Sequence, residues 1–99
     1  MTGSYVGKPA GKKLLRLSLE WDGGIVVGAS IRGDFFAHPE EAFEEAEAAL
    51  AGTPVAGLGQ TFARELSARG VELFGVSPED VGAAADDILA RAAAEERAR

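Results

Sequence analysis

From Lys13 onward the chain alternates. Leu15, Leu17, Leu19 and Trp21 share one parity, while Arg16, Ser18 and Glu20 share the other. That is the period of a β-strand with one wet face. From Ile25 to Arg32 the apolar set again falls on odd positions, at Ile25, Val27, Ala29 and Ile31. Asp22-Gly23-Gly24 between them is a turn signal, and Gly24 suits the left-handed position of a three-residue hairpin loop. Such a loop pairs Trp21 with Ile25, Leu19 with Val27, Leu17 with Ala29 and Leu15 with Ile31, which keeps both apolar sets on one face. One further step sets Lys13 opposite Gly33. Lys13, Gly33 and Asp34 then meet at the open end of the hairpin, with Phe35 and Phe36 directly after.

The remaining pattern is helical. Pro39 suits a first helical position, and Glu40 and Glu41 place negative charge where a helix N-terminus favours it. Phe43, Ala46 and Leu50 form a narrow apolar stripe, with Gly52 as the stop. Leu58, Phe62 and Leu66 predict a second helix over 58–69, ended by Gly70, whose start Gly57 and Gly59 leave open. Residues 71–74 are short and apolar, fitting either a strand or a buried connection. The last helix has the clearest beginning: Ser77 as cap, Pro78 first, and Asp80 placed to reach back. Val76 and Val81 stand where a hydrophobic staple needs them. Val81, Ala84, Ala85, Ile88 and Ala92 line one face, and the final AAEERAR has nothing to bury and is expected to fray. The expected fold is α+β: an antiparallel β-hairpin, with a third short strand as an option, packed against about three helices. Residues 1–99 make a single domain with an ordered core over about 5–93.

Composition narrows the chemistry. A chain of 99 residues buries roughly two-thirds of its unfolded surface, enough for one modest core. There is no cysteine, which removes disulfides, thiolate metal sites and a cysteine nucleophile together. No apolar run is long enough to span a bilayer and no secretory signal opens the chain, so the expectation is a cytoplasmic protein with no membrane partner. The net charge of −6 has the wrong sign for a nucleic-acid binder that neutralises phosphates.

Few catalytic tools are visible. His38 is the single histidine, and before Pro39 its reading is to help begin the helix rather than to act as acid, base or ligand. Asp34 has no neighbouring carboxylate to pair with, and ordering backbone donors in its turn is an ordinary task for it. Glu40, Glu41, Glu44, Glu45 and Glu47 read mostly as the solvated side of an amphipathic helix, as do Asp86 and Asp87. The glycines match no phosphate-loop pattern. No catalytic residue and no metal ligand is assigned.

The run GKK-LLRLSLEWDGG-IVVGASIRGDFFAHPEEAFEEAEAALAG resembles the accessory domain of lipoate–protein ligases. In that family a Gly-Lys pair opens the first strand, the second strand ends in Gly-Asp-Phe-Phe, and a proline-initiated acidic helix ends in Leu-x-Gly. Gly33, Asp34, Phe35, Phe36, Pro39, Leu50 and Gly52 match, and Lys13 matches best among the lysines, with Lys12 one residue out of step. The likeness is strong over 11–52 and weaker beyond, where Gly75 to Val81 is similar to the family's closing turn into a helix. The large catalytic domain is missing, and the chain's own start and short tail read as a complete small protein, similar to the separate subunit of split ligases.

The resemblance implies a non-catalytic accessory subunit that forms a heterodimer with a catalytic subunit. The complex would use ATP, Mg and lipoate to make lipoyl-AMP, and then pass the lipoyl group to lysines of lipoyl acyl-carrier domains. The accessory subunit is expected to matter chiefly in the first step, and to bind no cofactor alone. Lys13, Gly33, Asp34 and Phe36 become the expected interface or active-site-completing residues, with Phe35, Pro39 and Gly52 as structural motif positions. The alternative reading is a module that binds an acyl-carrier domain or a small acyl ligand, with no part in adenylation. Two arrangements of the phenylalanines are open. Strand parity turns Phe35 inward and Phe36 outward to a partner; a chain already turned by Phe36 buries both.

Overall fold

The computed structural model describes residues 1–98. Three antiparallel strands, β1 (Thr2–Gly7), β2 (Leu15–Asp22) and β3 (Ile25–Gly33), form a sheet in that order. A short ribbon pairs β4 (Phe36–His38) with β5 (Glu72–Phe74), and three helices complete the chain: α1 (Glu40–Ala48), α2 (Leu58–Ala68) and α3 (Pro78–Arg97). The architecture is the expected α+β, with residues 71–74 resolved as a strand. The helices cover one face of the large sheet. Leu15, Leu17, Leu19, Trp21 and Ile31 from that face meet Phe43, Leu50, Leu58, Phe62, Val81 and Ile88, all buried.

The hairpin differs from its expected register. Gly23 and Gly24 both take positive φ, +57° and +78°, and form a two-residue turn in which Asp22 faces Ile25. Paired positive-φ glycines match the twist of the flanking strands, so the tighter loop wins. A two-residue loop alone would turn one apolar set outward. A bulge between Glu20 and Trp21 restores parity: Trp21 faces Val26, Glu20 faces Gly28, and Val27 is the extra residue. Val26 therefore enters the core at 1% exposure, while Ile25 and Val27 are 43% and 52% exposed. Past the bulge Leu19 faces Ala29, Leu17 faces Ile31, and Leu15, not Lys13, faces Gly33.

Strand β1 was not expected. Its inward positions are Gly3, Tyr5 and Gly7, opposite Leu19, Leu17 and Leu15, so it carries almost no apolar alternation. The glycine is what α3 requires: a Cβ on Gly3 would lie 2.5 Å from Ile88 Cγ2. Close approach of a helix erased the sequence signal of the strand beneath it.

The helices follow their signals with small shifts. Pro39 precedes α1 as its cap rather than opening it, extended at ψ 145°, and its carbonyl accepts the first helical bond from the Phe43 N–H at 3.1 Å. Gly52 does not close that helix. It lies beyond the cap at Ala49, at φ +85°, where its N–H donates to the Val26 carbonyl at 2.7 Å and the Val26 N–H donates to Thr53 at 2.8 Å. Nearby, Glu47 Oε2 accepts from the Ile31 N–H at 2.6 Å and from Arg32 Nη1 at 2.7 Å. Glu47 is thus a half-buried brace on β3 rather than a solvated face residue. The α3 start is as expected: the Ser77 N–H donates to Asp80 Oδ2 at 2.8 Å, and the Asp80 N–H donates to Ser77 Oγ at 3.3 Å. Instead of fraying, α3 continues to Arg97 on exposed residues, whose alanine, glutamate and arginine content favours helix; Arg99, the last residue of the expected frayed tail, lies outside the described residues.

Candidate functional site

The Gly33-Asp34-Phe35-Phe36 run joins β3 to β4. Gly33, at φ +152°, is required by close approach: a Cβ there would fall 2.0 Å from the Leu14 carbonyl oxygen. That same carbonyl accepts the Asp34 N–H at 3.1 Å. The contact ties the motif to the residue following Lys13. Asp34 closes the turn through its backbone alone. Its exposed carboxylate has no hydrogen bond or ion pair among the described residues, which differs from the turn-ordering task open to it from sequence.

The two phenylalanines part company. Phe35 is half buried and meets Phe43 edge to face, with centroids 5.8 Å apart, and Phe43 meets Phe62 in the same way at 5.9 Å. Phe36 is 77% exposed. It faces Phe74, across the β4–β5 pair, which is itself 52% exposed. Strand β3 ends at Gly33 and the chain bends at Asp34; Phe36 then takes an outward position in β4, within the second sheet. Phe74 is a surface aromatic that the sequence reading did not single out; the alternation Val71, Glu72, Leu73, Phe74 carried the signal, but four residues are too few to fix a face. His38 lies in β4 opposite Glu72 and is exposed.

Lys13 does join this surface, by a different route from the one expected. Its N–H donates to the Gly75 carbonyl at 2.8 Å. Gly75, at φ +103°, is pressed between Lys13 and Phe35: a Cβ on it would lie 2.8 Å from Lys13 Cγ and 3.4 Å from Phe35 Cβ. The end of β5, not the hairpin register, brings Lys13 to the motif. The neighbouring Lys12 lies 3.5 Å from Asp80. Burial works against ionisation of Asp80, but hydrogen bonds from the Ser77 N–H and hydroxyl, with Lys12 alongside, outweigh it and hold the carboxyl below its ordinary 3.8.

No family model matches the chain. It is 35% identical over 71 residues to lipoate-protein ligase A subunit 2 of Thermoplasma acidophilum, covering 72% of this chain and 74% of that one. This chain belongs to the lipoate-protein ligase A subunit 2 family. Its fold also superposes on a chain from a structural analysis of an archaeal lipoylation system, a bi-partite lipoate protein ligase and its E2 lipoyl domain from the same organism. That match has a TM-score of 0.66 and 29% identity over 86% of this chain and 97% of the other.

Within this family fold, Asp34, Phe36 and Phe74 are exposed along the β3–β4 junction and the β4–β5 ribbon. Lys13 meets Gly75 where that ribbon ends, and Gly33, Phe35 and Gly75 pack the junction closely. Pro39 and Gly52 serve the backbone, starting α1 and returning the chain to β3. Among the described residues no helix is long and apolar enough to cross a membrane. Nor does any group of three or more histidine or carboxylate side chains converge as a metal site would need.

Proposed function

We propose that this chain is the accessory subunit of a split lipoate–protein ligase, required with a separate catalytic subunit for ATP-dependent activation of lipoate to lipoyl-AMP. The lipoyl group then passes to lysines of lipoyl acyl-carrier domains. The observation that carries this reading is kinship with a protein that is by name the second subunit of such a ligase. The surface described above supports it. Phe36 and Phe74 offer a partner an exposed aromatic pair, of the kind that anchors protein interfaces, and Asp34 offers a carboxylate with no internal use.

Lipoate and ATP are substrates of the complex. The Mg ion that accompanies ATP belongs to the complex in this reading, held chiefly by the nucleotide phosphates and one or two carboxylates. In this reading the chain's own residues dock and position: Phe36 and Phe74 at the interface, Asp34 toward a basic group of the partner, Lys13 toward the reacting phosphates. The heterodimer acts in the cytoplasm.

Reconstitution tests the proposal. The chain alone gives no lipoate-dependent ATP–pyrophosphate exchange, and mixing it with the catalytic subunit switches exchange on. Transfer from preformed lipoyl-AMP depends on it much less. Robust exchange by the isolated chain would overturn the accessory role, and equal dependence of both steps would point instead to a module that binds the acyl-carrier domain.

A further inference from the structure

The chain carries three lysines, Lys8, Lys12 and Lys13, all inside six residues of the β1–β2 connection. They line one open groove of about 710 Å³, with backbone and side chains of Leu73 and 75–77 as its floor. A protein of net charge −6 has thus gathered every lysine it has on one concave surface. An anion among gathered ammonium groups offsets their mutual repulsion.

The connection is built rather than loose. Gly11 turns at φ +72°, the Lys12 N–H donates to the Pro9 carbonyl at 2.8 Å, and Lys13 is pinned to Gly75. Only Lys12 has an ion-pair partner among the described residues, Asp80. That carboxylate is already engaged by both donors of Ser77. Lys8 and Lys13 are exposed and have no anionic partner among the described residues. The start of α3 forms one wall at Ser77, so the positive end of that helix adds to the same field.

We infer that this groove binds the polyphosphate part of a nucleotide through Lys8 and Lys13, with Lys12 held back to brace α3. Lysine is a compact point charge that suits phosphate oxygens without the planar geometry arginine needs for carboxylates. Leu73 and Val76 are the apolar side chains of the lining and no aromatic joins them, so a nucleobase finds no stacking surface and the phosphates alone are held. The inference deepens the proposed function, on which it rests for the nucleotide's role. Adenylation joins a carboxylate oxygen of lipoate to the α-phosphorus of ATP as the bond from that phosphorus to the bridging oxygen breaks and pyrophosphate leaves. Lysines on the leaving phosphates would offset the charge that develops there.

Titration of the full chain with inorganic pyrophosphate, ATP and AMP, followed by backbone amide NMR, tests the site itself. Pyrophosphate and ATP should shift the amides of 8–13 and 75–79 with similar affinity, and AMP more weakly. Lys8→Gln with Lys13→Gln should weaken the pyrophosphate response about tenfold, the equivalent of one modest charge contact, with the rest of the spectrum unchanged. Absence of shifts in those segments, equal affinity in the double variant, or equal binding of AMP and ATP would overturn the inference. In the reconstituted complex the same variant should raise KM for ATP and leave KM for lipoate alone. If wild-type chain and catalytic subunit fail to adenylate lipoate, the accessory role falls, while the pyrophosphate titration still decides the groove.

Discussion

Two aromatic clusters begin from adjacent residues and end in opposite environments. Phe35, Phe43 and Phe62 form an edge-to-face ladder into the core. Phe36 and Phe74 face each other across the ribbon with most of their surface in water. The residue type is the same in all five, so chemistry does not distinguish them; the direction of the backbone does. One motif therefore carries two separable tasks, one holding the fold and the other open to a partner. Substitutions can separate the two.

The largest effect belongs to the inner ladder. Phe62, fully buried, should cost about 3–5 kcal/mol of stability when cut to alanine, read from chemical denaturation, and its binding loss should track the unfolded fraction. Phe36→Ala should leave the melting temperature nearly unchanged and weaken association with the catalytic subunit by about 2 kcal/mol, measured by calorimetry. A Phe36→Ala chain that unfolds yet binds normally once folded would erase the distinction between the clusters.

Smaller effects sharpen it. Ser77→Ala removes the cap of α3 and should cost about 1 kcal/mol without altering partner affinity, which separates loss of stability from loss of contact. The cap also makes stability depend on acid. Because the Asp80 carboxyl is held below 3.8 in the fold, its ionised form stabilises the protein above that value, and the contribution disappears as pH falls through the lowered folded pKa. Acid unfolding of the Ser77→Ala variant should therefore begin at higher pH than in wild type. Asp34→Asn should be the mildest, within about 0.5 kcal/mol in stability. Its signature is in salt: wild-type affinity for the partner should fall as salt rises, and the variant's should fall less.

What could be read in advance followed from how local each cause is. The start of α3 was legible to the residue, because Ser77, Pro78 and Asp80 satisfy one another within a single turn. Alternation offered the outward Phe36 and inward Phe35 as one of two open arrangements; the bend at Asp34 and the pairing of β4 with β5, which decide between them, are not local signals. The hairpin misled because two corrections cancel: a tighter turn at Gly23-Gly24 and an extra residue at Val27 together restore the parity of a looser loop. Past the bulge parity was right and pairing was off by two, so Leu15 took the place expected for Lys13. Between turn and bulge parity failed, and Val26 is inward where Ile25 and Val27 were expected. Lys13 still reached the motif, through a contact with Gly75 more than sixty residues away, which no local pattern encodes. The β1 strand was hidden for the opposite reason, since the glycine that admits Ile88 carries no hydrophobic signal. Phe74 belongs to a ribbon whose partner strand is over thirty residues distant, and its three-residue length gave alternation too little to work with.

The brace at Glu47 has a consequence for the life of the protein before it meets a partner. A bare outer strand is a template on which a second molecule can add its own strand, and repetition of that step grows polymers. Along β3 the amide of Ile31 already donates to a carboxylate, and Val26 is occupied by the chain at Gly52 and Thr53. A newly synthesised copy thus offers little for another copy to extend along that edge. Glu47→Ala would reopen the amide of Ile31, and the cost would appear first as turbidity during storage and only later as lost function.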